Sequence, residues 1–164
     1  MTEWYHFPEM GVWLGFAALG FAILFNVPQR ALPFIWLLGA LGGITKLLVL
    51  HFGGNIILAS LAGATLVGFL SIPAAHSKHA PPLVFSIPAV IPMVPGAFAY
   101  RMMLGLIKLA GNTGTESYSD VLNSAVSNGL KTLFILLSLA AGVAIPMLIT
   151  RKESAKEIKI VKSK

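Results

Sequence analysis

Residues 10–115 contain no acidic side chain, and the apolar residues there come in long blocks. Blocks of this kind match the roughly 30 Å hydrocarbon core of a bilayer, not the one-sided patterning of a water-soluble element. Lipid offers a backbone no water, so each block must satisfy its own N–H and C=O groups as a helix. Composition agrees: 56% of residues are hydrophobic and 11% are charged, where a soluble domain carries roughly a quarter charged. The chain therefore reads as an all-α integral membrane protein. Cysteine is absent, which excludes disulfides, thiol catalysis and thiolate metal sites.

About five transmembrane helices are expected, over residues 10–25, 32–50, 56–72, 83–110 and 121–150. Each clears or approaches the roughly 20 apolar residues that a bilayer needs. The first ends at the Asn26-Val27-Pro28 turn and the second at Gly53-Gly54-Asn55. A polar loop is expected at residues 75–79, and residues 111–120 form the most polar stretch before the tail. A four-span alternative would make the second segment a re-entrant pair at Gly42-Gly43. Residues 1–150 form one transmembrane domain and residues 151–164 a basic tail. That tail holds six basic residues against two glutamates, so it carries +4 of the net +6. Once the spans are removed no folded basic surface remains, which argues against nucleic-acid binding.

Five spans put the termini on opposite sides. Arg30, Lys78 and the tail then share one side, and Glu3, Glu9, Glu116 and Asp120 the other. The positive-inside bias places the N-terminus outside and the C-terminus in the cytoplasm. The first residues, MTEWYHFPE, lack a basic n-region and a small-residue cleavage site, so a removable signal peptide is not expected. Trp4, Tyr5 and Phe7 read as an interfacial aromatic anchor. Gly11 and Gly15 form a GxxxG, and Ser60, Ala64 and Gly68 a small-residue ridge. Both serve either packing within the bundle or docking of a partner subunit.

Pro88, Pro92 and Pro95 fall inside the fourth apolar segment, followed by Gly96. Each proline removes a helix hydrogen bond and clashes with the preceding turn. Such a break survives in a membrane only where protein or water surrounds it, and in transporters broken helices commonly build the substrate site. A helix restarting at Pro95-Gly96 would present free N–H groups and a positive dipole end, which suit an anion. Arg101 lies one to two turns further on, and its guanidinium can fork onto a carboxylate. The plainer reading is a kink that shapes the bundle, with Arg101 snorkelling to an interface.

Lys46 and Lys131 are the other candidates. Lys46, in GGITKLLVL, has no acid in its own span. It either faces a cavity or snorkels to the nearby helix end. Lys131 follows Asn123, Ser124, Ser127 and Asn128. The spacing from Asn123 to Asn128 and Lys131 keeps them near one face, implying a water-filled path or a partner helix. Alternatively, that region is a helical extension outside the membrane. Lys108 reads as interfacial. His76 and His79 are three apart in a proline-flanked loop, where a solvated role outweighs metal binding. No metal or cofactor is expected.

The missing intramembrane acid also matters. Many coupled carriers use a buried Asp or Glu, so a coupling carboxylate would belong to another subunit. The surplus of positive charge favours an anionic or zwitterionic solute. HExxH, GxSxG and P-loop motifs are absent. The spans offer no Ser/His or paired-Asp protease site, so no enzyme activity is expected.

FAILFNVPQRALPF at residues 21–34, the glycine-rich run at residues 38–45 and PAVIPMVPGAFAYRMM together resemble the threonine/serine exporter family. The sharpest marks are the FNVP turn, with Asn26 and Pro28, and the PxxxPxxPG run beginning at Pro88. The likeness is strongest to the small subunit of split systems. It implies secondary export of small carboxylates, such as threonine, serine or succinate, across the bacterial plasma membrane. It also implies a larger membrane subunit as partner. On these grounds the solute's carboxylate is expected near Pro92, Pro95, Gly96 and Arg101, with Lys46 and Lys131 adding positive potential. The alternative is a non-transporting scaffold that stabilises a partner. A third reading has the lysine-rich tail regulate through anionic lipid, at roughly 1 kcal/mol per basic residue, although a topological anchor is simpler.

Overall fold

The computed structural model describes residues 6–111 and 117–150. The basic tail, Glu3, Glu116, Trp4, Tyr5 and the side chain of Phe7 lie outside these described residues. Among the described residues every regular element is helical. The order is α1 (His6–Leu24), a 3-10 turn (Gln29–Ala31), α2 (Leu32–His51), α3 (Ile56–Lys78), α4 (Pro82–Val90), a second 3-10 turn (Ile91–Met93), α5 (Gly96–Gly111) and α6 (Tyr118–Thr150).

The turns sit where the residues demand them. The chain leaves α1 through Asn26 at φ 55°, a left-handed conformation that asparagine tolerates. Pro28 then opens the first 3-10 turn. Gly53 takes φ 79° between α2 and α3. The Asn55 side chain accepts the Ile57 N–H at 3.2 Å, capping α3.

Two expectations need correction. Residues 75–79 are not a loop following a span that ends near residue 72, because α3 runs on to Lys78. Ala74 and Ala75 are buried, and their packing carries the helix past Pro73. His76 Nδ1 and Ser77 Oγ bond back to the carbonyls of Ile72 and Ala74 at 2.8 and 2.9 Å. The helix stops at His79, at φ 49°. The re-entrant alternative also falls, since α2 passes unbroken through Gly42-Gly43.

The core forms where small residues let backbones approach. A Cβ on Gly63 would lie 2.6 Å from the Gly42 carbonyl oxygen, so α2 and α3 touch through their main chains. A Cβ on Gly142 would lie 2.7 Å from Ala64 Cβ, and one on Gly68 2.9 Å from the Gly142 oxygen, which joins α3 to α6. Gly11 and Gly15 press on Ile44 and Trp36 of α2. Both small-residue patterns are thus used within the bundle. α5 packs chiefly against α6.

Three segments are long and apolar enough to cross a membrane: Gln29–His51, Ile56–Lys78 and Tyr118–Thr150. The pair Pro82–Met93 and Gly96–Gly111, bent by 56°, adds a fourth if it is one span. α1 contributes a shorter apolar helix, Pro8–Leu24. The architecture is therefore an all-α membrane bundle with three to four such spans, against about five expected.

Candidate functional site

The break lies where the prolines put it. Pro88 is inside α4, Pro92 is in the second 3-10 turn, and Pro95 directly precedes α5. Val94 is extended, at ψ 136°, as a residue before proline must be. In an unbroken helix the Met93 carbonyl would receive the N–H four residues on. Instead it accepts a hydrogen bond from Lys46 Nζ at 2.9 Å. The reach follows from small residues: Met93 Sδ and Cε lie 3.1 and 3.4 Å from the Cβ positions that Gly63 and Gly42 lack. Lys46 is one turn beyond Gly42 on the same face of α2, so it stands directly over the break.

The start of α5 offers fewer free donors than the sequence implies. Gly96 N–H bonds to the Val94 oxygen at 2.9 Å, and the Phe98 and Ala99 N–H groups both bond to the Pro95 oxygen at 3.2 Å. Positive charge at the break therefore rests mainly on the Lys46 ammonium.

Arg101 is exposed and faces elsewhere. With Lys108 of α5 and Ser117, Asp120, Ser124 and Asn128 it lines an open groove of about 540 Å³. Lys131 reaches back over the first turn of α5, its Nζ 5.7 Å from the centre of the Phe98 ring, within cation–π range. Lys131 also lines a second groove, of about 430 Å³, with Asn123, Ser127, Ile57 and Phe134. The single polar face expected on α6 is thus two stripes: Ser124 and Asn128 turn to Arg101, and Asn123, Ser127 and Lys131 to the other side.

Asn26 and Pro28 meet Pro88 in a third groove of about 420 Å³. This brings the two sharpest sequence marks together, away from Lys46 and Arg101. Nearby residues brace that end: Lys78 Nζ lies 5.1 Å from the Phe34 ring, which packs edge-on against Phe85. His76 and His79 border a pocket with Pro81 and Pro82. Among the described residues no group of three or more potential metal ligands converges.

Sequence reasoning missed Met93 and Phe98, the partners of the two lysines, and Asp120, which shares the groove of Arg101. Gly42 and Lys46, four apart, were the available signal for Met93. Buried Ser60 and Ser86 hydroxyls have no hydrogen-bond partner among the described residues. Nothing in the sequence marked Ser86.

Apolar helices, with a bent pair at the prolines beneath a lysine, define an all-α integral membrane protein. The chain belongs to the threonine/serine exporter family: the family described as "Threonine/Serine exporter, ThrE" matches residues 11–149. This is a family of transporters and not a class of enzymes. A Haemophilus influenzae protein named only as uncharacterized is 36% identical over 133 residues, which are 80% of this chain and 43% of that protein. The chain thus spans less than half the length of this curated relative. No solved structure matches it.

Proposed function

We propose that this chain is one subunit of a secondary exporter for small carboxylate-bearing solutes, of the threonine, serine or succinate kind. It acts with a larger membrane subunit of the same family in a bacterial plasma membrane. The observation that carries this reading is the Lys46 ammonium held at the broken span. In a low-dielectric site such a charge attracts a carboxylate strongly. The groove of Arg101 lies further along α5, and Lys131 stands over Phe98 in the first turn of that helix. The solute leaves the break and passes Arg101, and access alternates through movement against the partner. The shorter apolar helix Pro8–Leu24 supplies the fifth span, at the low end of the usual length. The N-terminus lies outside and the C-terminus in the cytoplasm. Residues 10–115 lack acid, so apart from Asp120 in the groove of Arg101 any coupling carboxylate sits on the partner.

The test is efflux of preloaded, labelled threonine, serine and succinate from cells lacking their own exporters. The chain is expressed alone and with the larger subunit. Arg101→Ala is expected to cut efflux about ten- to a hundredfold, the ~1.5–3 kcal/mol of a charge-assisted hydrogen bond, with normal insertion. Arg101→Lys restores part of it if charge suffices and none if the fork is required. Full export by a well-inserted Arg101→Ala would sink this assignment.

The scaffold reading has one observation in its favour. The Lys46–Met93 bond satisfies a carbonyl that the prolines freed, which is a structural service whether or not a solute ever arrives.

A further inference from the structure

The chain reverses at Gly53, so the start of α2 and the end of α3 share one end of the bundle. The spans Gln29–His51 and Ile56–Lys78 have 23 residues each. That is a rise of about 34 Å against a hydrocarbon core of about 30 Å. Arg30 and Lys78, at the shared end, therefore stand at headgroup depth. Glu9 and Asp120 are the acids among the described residues, and both lie at the opposite end. Glu9 opens α1 near Gly11, whose Cβ would meet Ile44 in the second half of α2. α6 runs in the same direction as α3, with Gly142 against Ala64 and Pro146 against Gly68. Asp120 is about four turns before Phe134, which shares a groove with Ile57 at the start of α3.

The two cations stand on a fixed base. Lys78 is half-buried, and its Nζ lies 5.1 Å from the centre of the Phe34 ring. That ring packs edge-on against Phe85, which is fully buried. Arg30 is exposed and precedes Phe34 by about one turn, on the same face. Beside the pair opens the trough of about 420 Å³ between the α1–α2 turn and α4. Phe25, Val27 and Pro28 form one wall, and Leu83, Val84 and Ile87 the other. The first wall runs on through the 3-10 turn into Arg30. The second runs on into Phe85, the ring partner of Phe34. Phe25, Leu83 and Ile87 are 50%, 51% and 45% exposed, so the trough opens outward to lipid.

We propose that this corner binds one anionic phospholipid, with its phosphodiester between Arg30 and Lys78 and an acyl chain in the trough. Cations at headgroup depth with no described acid at their end are complementary to a lipid phosphate. The guanidinium can fork onto two phosphate oxygens, and the ammonium adds a point charge. A soluble phosphate would satisfy the cations and leave the trough empty. A zwitterionic lipid would bring a second positive charge against them. The bound lipid bridges the α1–α2 turn, α3 and α4, and so steadies α4 below the break. The proposal needs only the membrane class of the chain, neither the solute nor the larger subunit of the proposed function.

The full chain is purified in neutral detergent, stripped of lipid and titrated with one of three probes. These are phosphatidylglycerol, phosphatidylcholine of the same acyl chains, and glycerol phosphate. Native mass spectrometry counts what binds, and thermal aggregation reports the effect. One phosphatidylglycerol is expected to bind and raise the aggregation midpoint, with the other two probes at least tenfold weaker. Arg30→Gln with Lys78→Gln is expected to weaken phosphatidylglycerol about thirtyfold, the roughly 2 kcal/mol of two basic residues at a membrane surface. Arg30→Lys with Lys78→Arg keeps the binding. Ile87→Asn, which removes neither cation, weakens it severalfold. Equal affinity for the two lipids would overturn the proposal. So would full binding by the double glutamine variant, which would move the lipid to the basic tail. Glycerol phosphate binding as tightly as the lipid would make the corner a site for soluble anions instead. If the double variant fails to fold, Ile87→Asn decides: unchanged affinity there removes the acyl chain from the trough and overturns the assignment.

Discussion

Lys46→Met will both loosen the bundle and end export, whereas Lys46→Gln will assemble and still fail to export. The difference isolates the two services of one side chain. Methionine fills the space but cannot donate, so the Met93 carbonyl loses the partner it has at 2.9 Å. An unsatisfied carbonyl in a dry site costs about 1–3 kcal/mol. That bond ties α2 to the gap between α4 and α5, which otherwise rest on their packing against α2, α3 and α6. Glutamine keeps a donor for the carbonyl and removes the charge. Size-exclusion profiles and thermal aggregation in detergent report the first effect; efflux of labelled solute reports the second. Wild-type efflux from a well-assembled Lys46→Gln would reduce Lys46 to a brace and favour the scaffold.

Gly63→Leu is expected to prevent assembly altogether. The first added carbon would already sit 2.6 Å from the Gly42 carbonyl oxygen and 3.1 Å from Met93 Sδ. The obstacle is backbone, which cannot rotate aside, so α2 and α3 must separate. Overpacking typically costs about 1–3 kcal/mol, and occasionally more. In a membrane no hydrophobic force pushes the helices back together. Gly20→Leu is the control, because nothing lies within 4 Å of a Cβ there. Loss of the monodisperse peak for Gly63→Leu, with retention for Gly20→Leu, would bear this out. Two intact peaks would mean that the α2–α3 contact is softer than its geometry implies.

The sequence made the membrane class and most helix positions legible, because apolar runs and their breakers act locally. Asn26, Gly53 and the three prolines each impose a backbone conformation that no neighbour has to supply. The end of α3 was misread for the opposite reason. His76, Ser77 and Lys78 look like loop residues, but buried Ala74 and Ala75 hold the helix by tertiary contact, which no local pattern shows. At the site, Lys46 was legible as a misplaced charge, while its partner was not. The Met93 acceptor is a main-chain atom 47 positions away, and a carbonyl carries no residue signature. Asp120 was missed as a neighbour of Arg101 because its groove exists only once α5 and α6 lie side by side.

The gap at Val94 also makes a hinge. Pro92 and Pro95 have no N–H to give, so the angle between α4 and α5 is not tied by an ordinary helical ladder. Changing it requires no helix to melt. α5 is 16 residues long, a lever of about 24 Å, and a turn of ~10° at its base would swing its tip by about 4 Å. The bond from Lys46 to Met93 sits at the fulcrum, so whatever draws that ammonium away releases the joint.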